Sequence, residues 1–296
     1  LIPTVIIWLN LTLVFSQITS EEIDNIVERT MENFTVAGIA VAVVKDGKII
    51  HQKGYGIQSI ESRKKVNENT NFGIASNSKA FTTTALAILV EDGKISWTDK
   101  VIKHIPEFKM YNDYVTQNFN IQDLLTHRSG LSLGIGDLMF FPDGSDFTIN
   151  DIISSFQHFT PVSAFRTKFD YDNLLYLVAG EVIARVSGSP WEEFIKERIF
   201  GPLEMENSYA SLTFIKDEDN VASPHLNVNK KLSLTDPERW DPKKINGAAG
   251  GIYSNVNDIA NWMLVNLNKG KYGDNLEKQL FSEVSQQEIW KLHTTT

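Results

Sequence analysis

FGIASNSKAFT, residues 72–82, is the stretch on which the reading of this chain turns. A short apolar run, Phe72-Gly73-Ile74-Ala75, leads into Ser76, and residues 76–91 read as an apolar helix closed by Gly93. Ser76 sits at the helix start and Lys79 lies one turn on, facing the same way. Structure alone would favour Ser-x-x-Glu at this place, because an acidic residue completes a capping box and suits the positive end of the helix. A lysine there is electrostatically unfavourable as a cation. The same placement favours the neutral amine, drawing its pKa down from about 10.4, and a neutral amine can take a proton from Ser76. The first turn also offers backbone N–H groups to a developing oxyanion.

Ser-x-x-Lys alone is a weak signal, expected about once by chance in a chain this long. Indeed Ser62-Arg63-Lys64-Lys65 is a second match, but it lies in a polar turn and opens no apolar helix, so it reads as a solvated loop. Tyr-x-Asn also occurs twice. Tyr171-Asp172-Asn173 ends a loop and enters an apolar helix, 173–186, that stops at Ser187-Gly188. Tyr253-Ser254-Asn255 follows Gly250-Gly251, and there Asn255 reads as an N-cap with Asp258 three residues on.

The surroundings of these motifs are helix-rich. Residues 21–35 place Ile23, Ile26, Val27 and Met31 at helical spacing. Two β-rich runs then flank Asp46-Gly47, a hairpin signal. LLTHRSGL, residues 124–131, reads as a turn after a short helix, and 132–149 as a long loop of the kind that lines a site. Further helices are expected over 191–200, ended by Gly201-Pro202, and from Asn255 onward. No internal repeat or low-complexity linker divides the chain.

Composition narrows the chemistry. With 296 residues, 42% hydrophobic and 22% charged, the balance is that of a globular protein rather than a disordered or fibrous one. A formal net charge of −9 argues against nucleic acid and anionic membrane as partners. The absence of Cys removes thiolate metal sites, Cys nucleophiles and disulfides. The six His form no His-Glu-x-x-His and no close pair, and neither a phosphate-binding Gly loop nor Gly-x-Ser-x-Gly is present. No metal and no cofactor is expected.

Ile2 to Phe15 is an apolar run, followed by small and polar residues to Ser20. It is short for a membrane span, which needs about 20 residues, and suits the core of a secretory signal. Residues 1–19 are therefore expected to be a signal peptide whose start is missing. Residues 20–296 would be the functional domain, exported to a periplasmic or extracellular site, with no stable membrane span after signal removal.

In order along the chain, FGIASNSKAFT, LLTHRSGL, FDYDNLLYLVAGEVIARVSG, GPLEMENSY and GAAGGIYSNVNDIANWM resemble the serine β-lactamase / penicillin-binding protein superfamily. Within it they are most similar to the class C-like branch of β-lactamase-related hydrolases, D-aminopeptidases and esterases, and the likeness runs from about residue 24 to 290. The resemblance implies an α+β, β-lactamase/transpeptidase-like fold with a helical region packed on an antiparallel sheet. It also implies an acyl-enzyme mechanism in which Ser76 is the acylated nucleophile, Lys79 its general-base partner, Tyr171 a proton relay and Asn173 a hydrogen-bond partner of the substrate amide. His127, in the Thr-His-x-Ser-Gly turn, would be structural. The implied partner is a small-molecule or peptide substrate: a D-amino peptide, a β-lactam or a short ester.

One departure stands out. The family carries Lys-Thr-Gly or His-x-Gly on a strand flanking the nucleophile, and here His293-Thr294-Thr295 lacks the glycine. The sequence thus reads as truncated at both ends, with C-terminal strands missing, and loss of an oxyanion donor would lower the rate on the order of 10²–10³-fold. Two alternatives remain open: a catalytically silent peptidoglycan- or peptide-binding protein of the same fold, and a Ser-His-Asp esterase needing one essential His. Specificity is expected from the 132–149 loop and the segment near Trp240.

Overall fold

In the computed structural model, residues 18–140, 146–215, 220–235 and 245–294 are described. The signal segment up to residue 17 and the segment near Trp240 lie outside the described residues. Thr19 opens the first helix, Ser20–Phe34, with a capping box in which its side chain accepts from the Glu22 N–H and the Glu22 carboxylate accepts from the Thr19 N–H. Ile23 and Val27 are buried on its inner face and pack against Tyr55 of the hairpin that follows.

That hairpin pairs Gly38–Lys45 with Lys48–Gly56. Lys45 faces Lys48 across Asp46 (φ 50°) and Gly47 (φ 73°), the two-residue turn with both φ angles positive that matches the twist of the strands. It is the widest antiparallel ladder among the described residues. Three two-stranded ladders accompany it among the described residues, and one of them, Phe72–Gly73 with Tyr253–Ser254, brings the stretch before Ser76 to the second half of the chain.

The helical layer is built on two long apolar helices, Ser78–Glu91 and Leu174–Ser187, which pack on one another. Phe81, Leu86 and Leu89 of the first and Leu174, Leu175 and Val178 of the second are buried in one core. Full burial of each such side chain contributes about 1.5–3 kcal/mol. Phe81 stacks on Trp262 with ring centroids 4.2 Å apart, which ties in the helix Val256–Leu267. Gly180 is required by a close approach: a Cβ there would lie 2.7 Å from the Ala248 Cβ. Without it the short helix Gly247–Gly250 could not lie against Leu174–Ser187, and that short helix lines the site described below.

Helix ends follow their local signals. Gly188 closes its helix at φ 77°, and the Asn255 side chain accepts from the Asp258 N–H as the cap of Val256–Leu267. Two details differ from the sequence expectation. The α-helix proper begins at Ser78, and Ser76 occupies a single 3₁₀ turn, Ala75–Asn77, just before it. The 191–200 helix is α only over Trp191–Ile195 and widens into one π turn, Lys196–Phe200, where the Gly201 N–H reaches back to the Lys196 carbonyl.

Buried Asp123 holds the turn regions together. Its carboxylate takes Arg166 at 2.6 and 2.9 Å, Arg128 at 3.3 Å and the Asn120 N–H at 3.0 Å. No helix among the described residues is long and apolar enough to cross a membrane.

Candidate active site

Ser76 is presented by a turn stitched to the opposite half of the chain. Phe72 pairs with Ser254 and Gly73 with Tyr253, and the Ile74 N–H donates to the Ile252 carbonyl at 2.9 Å. Ala75 then adopts φ 46°, a left-handed conformation that costs a non-glycine residue about 1–2 kcal/mol. Two side chains of the following helix lock the turn from below: the Ser78 hydroxyl accepts from the Ile252 N–H at 3.1 Å, and the Thr82 hydroxyl donates to the Ala248 carbonyl at 2.8 Å. Ser76 itself is exposed.

Lys79 is buried, with 6% of its surface exposed. Its Nζ donates to three oxygens: Ser76 Oγ at 3.2 Å, Asn173 Oδ1 at 2.8 Å and the Ala249 carbonyl at 2.7 Å. The same nitrogen lies 5.0 Å from the centroid of the Tyr171 ring and 5.3 Å from that of Tyr176. Burial pushes the Lys79 ammonium below the ordinary lysine value, while Tyr171, Asp137 and Asp172 pull it back up. The sequence suggested a lowered value from the helix end; in the structure the main cause is loss of solvent.

Tyr171-Asp172-Asn173 enters the Leu174–Ser187 helix, so the sequence-predicted quartet Ser76, Lys79, Tyr171 and Asn173 converges on the Lys79 amine. The Tyr171 ring stacks on His127 at 4.3 Å. His127 is buried, its Nδ1 accepts from the Asp172 N–H at 3.1 Å, and it also packs against Phe169 and Tyr176. Burial, with the Lys79 charge adding to it, pushes His127 down to about 4, so the ring is neutral at pH 7 and supports Tyr171 as a flat, uncharged plate. Of the rival motifs, the Ser62 and Asn255 side chains serve local hydrogen bonds, while Tyr253 lines the cleft beside Ser76. Ser62 is an exposed loop residue whose Oγ accepts from the Lys64 N–H, and Asn255 is spent on its helix cap.

The sequence did not single out three groups: Asp137, Asp172 and the Ala249 carbonyl. Both carboxylate oxygens of Asp137, in the 132–149 loop, accept from Asn173 Nδ2, at 3.1 and 3.2 Å. Asp172 is fully buried beneath the site, with Oδ1 accepting from the Leu175 N–H at 3.3 Å and Oδ2 left without a hydrogen-bond partner. A Gly-rich loop before an apolar helix was the only hint of the first, and nothing local marks the other two.

Burial raises the Asp172 carboxyl to about 7. The folded state therefore binds a proton that the unfolded chain, with its ordinary value of 3.8, gives up between pH 4 and 7. Stability contributed at this position is full below about pH 4 and declines as pH rises towards 7. Asp172→Asn is expected to flatten that decline by a few kcal/mol, on the order set by 1.36 kcal/mol per unit. Denaturant unfolding of both proteins at pH 4.5 and 7.5 checks it, and parallel pH dependence in the two would refute it.

Ser76 and Asn173 open onto a cleft of about 670 Å³ that is also lined by Phe72, Phe140, Asn246 and Tyr253. Among the described residues, no group of three or more His, Asp or Glu side chains is arranged to hold a metal ion.

A hydroxyl at the head of a buried helix, an amine one turn on and a Tyr-x-Asn edge brought against it, on these helical and antiparallel layers, define the β-lactamase/transpeptidase fold. The chain belongs to the β-lactamase family, whose model matches residues 23–295. It is 28% identical over 286 residues to the unguisins hydrolase ungD' of Aspergillus campestris, covering 93% of this chain and 51% of that protein. Among solved structures it superposes with TM-score 0.79 on the octameric penicillin-binding protein homologue from Pyrococcus abyssi, at 25% identity, over 93% of this chain and 61% of that one. A class C β-lactamase superposes at TM-score 0.71 and 22% identity, covering 90% of this chain and 67% of that one, and shares the fold. The chain spans about half the length of the curated relatives it matches.

Proposed function

We propose that this β-lactamase-family serine hydrolase works through an acyl-enzyme on an amide or ester carbonyl of a D-amino peptide, a β-lactam or a short ester. The observation that carries the reading is the 3.2 Å contact between Ser76 Oγ and an amine that burial makes easier to deprotonate. Neutral Lys79, with Tyr171 beside it, accepts the Ser76 proton as Oγ bonds to the carbonyl carbon. The oxyanion forms next to the Ser76 N–H at the head of the helical turn. Collapse expels the amine or alcohol, which takes a proton back from the Lys79–Tyr171 pair, and water then attacks the ester to release the acid and restore Ser76. Asn173, between Lys79 and the cleft, would meet the substrate amide.

Export is part of the proposal. The apolar run 2–15 stands ahead of a helix that carries its own capping box at Thr19, as a removable leader would.

Intact-mass analysis of the full-length protein, incubated with a penicillin, a cephalosporin, a D-Ala-D-Ala ester analogue and a short p-nitrophenyl ester, tests the reading. An acyl adduct, or turnover, with the label mapped to the peptide bearing Ser76 is the expected result, and the donor that gives it names the substrate class. A folded protein that takes no label from any donor, or takes it on another residue, would overturn the hydrolase reading and favour a binding protein of the same fold. The mass of protein recovered from the growth medium, with or without the leader, decides export.

A further inference from the structure

We propose that Asp137 is a positioning residue of this site: it decides which end of the Asn173 amide faces Lys79, and its charge balances the Lys79 amine. The catalytic half of the inference rests on the acyl-enzyme reading above.

A primary amide is nearly symmetric in shape, so its orientation is set by what its two ends meet. An ionised carboxylate can only accept. Asp137 therefore holds Asn173 Nδ2, at 3.1 and 3.2 Å, and leaves Oδ1 to face Lys79 Nζ at 2.8 Å. The consequence appears when Lys79 is neutral. A flipped amide would donate Nδ2–H to the Lys79 lone pair, the same lone pair that must take the Ser76 proton. Asp137 forbids that flip and keeps the lone pair directed at Ser76 Oγ.

The loop that carries Asp137 is built to hold it there. The Gly134 N–H donates to the Tyr171 carbonyl at 2.9 Å, so the loop is tied to the very segment that supplies Tyr171 and Asn173. Gly136 sits at φ 73°, and a Cβ there would meet Leu174 Cδ2 at 2.5 Å, which lets the loop lie flush on the start of the Leu174–Ser187 helix. Asp137 then heads a 3₁₀ turn, Asp137–Met139, half-buried. Burial raises its carboxyl, and the Asn173 hydrogen bonds and the Lys79 charge pull it back towards ionisation.

The groups that face Lys79 are Ser76 from its own turn, Tyr171, Asp172 and Asn173 at the start of the Leu174–Ser187 helix, Tyr176 in its first turn, the Ala249 carbonyl, the Asp137 carboxylate and the neutral His127 ring. Asp137 and Asp172 are the carboxylates of that set, and Asp137 alone bonds Asn173.

The test compares wild type, D137N and D137A in protein labelled with ε-¹³C lysine, the Lys79 resonance being identified by its loss in K79R. In D137N the introduced amide still offers an oxygen to Asn173 while the negative charge is gone. Lys79 is expected to titrate about one pH unit lower than in wild type, and the rising limb of acylation rate against pH to move by the same amount. In D137A the acylation rate constant is expected to fall about 10–100-fold with KM little changed, as for a misplaced catalytic group, and D137N to recover most of it below neutral pH. Lys79 titrating at the same pH in D137N and wild type, or D137A acylating at the wild-type rate, would overturn the assignment. The lysine titration needs no turnover: a wild-type protein that takes no acyl group sinks the hydrolase reading while the shift, present or absent, still decides the role of Asp137.

Discussion

Ser76→Ala is expected to lower kcat/KM for an activated short ester on the order of 10⁶-fold, and Lys79→Met by about 10²–10⁴-fold. The first figure is large because, on the proposed mechanism, nucleophile and base act as one unit, so removing the attacking oxygen leaves only binding and oxyanion stabilisation. Ser76 is exposed and supports none of the neighbouring packing, so the alanine variant should keep its stability within about 0.5 kcal/mol. Unchanged unfolding alongside lost acylation would place the effect in chemistry. Lys79→Met keeps the buried stem and removes the amine, leaving Asn173 Oδ1 and the Ala249 carbonyl without their donor. It therefore also tests whether the proton has another route. If Tyr171 alone could deprotonate Ser76, the methionine variant would lose less than tenfold, and the division of roles drawn here would fail. Burst kinetics with a p-nitrophenyl ester separate acylation from later steps. In wild type the rising limb should lie below the ordinary lysine range, because burial disfavours the ammonium.

Asp123→Ala should destabilise the fold by about 3 kcal/mol, lowering Tm by roughly 5 °C. The carboxylate is fully buried and Arg128 largely so, whereas Arg166 keeps 37% side-chain exposure, which places the expectation at the low end of the range for broken buried pairs. Removing the acid takes the shared carboxylate from two guanidinium groups and an acceptor from the Asn120 N–H. The cost should reach the site as well. Arg166 lies five residues before Tyr171, and its N–H bonds to the Arg128 carbonyl, so the segment leading to Tyr171 is anchored through this cluster. Urea unfolding measures the first effect. A loss under 1 kcal/mol would show that the ion cluster merely breaks even with its desolvation.

The parts of the molecule that were legible in the sequence share one property: their causes lie within a few residues. Asp46-Gly47 makes its turn because both positions tolerate positive φ, and Asn255 caps its helix because Asp258 is three residues away. Lys79 meets Ser76 because one helical turn separates them. His127 illustrates the limit. Its turn was visible, but its use as a stacked, neutral support for Tyr171 depends on the rings of Phe169, Tyr171 and Tyr176, one later segment folded back onto the turn.

By itself, then, the sequence determined several helix caps, the hairpin and a short set of candidate side chains, since hydrogen bonds between near neighbours form in any surrounding. Only the tertiary structure decided what surrounds the Lys79 amine, bringing Asn173 to it across 94 residues and the Ala249 carbonyl across 170. It also decided the chemistry of what it brought together. A lysine, an aspartate and a histidine that would titrate ordinarily in water are shifted here because packing two apolar helices around them removes the water that would stabilise their charged forms.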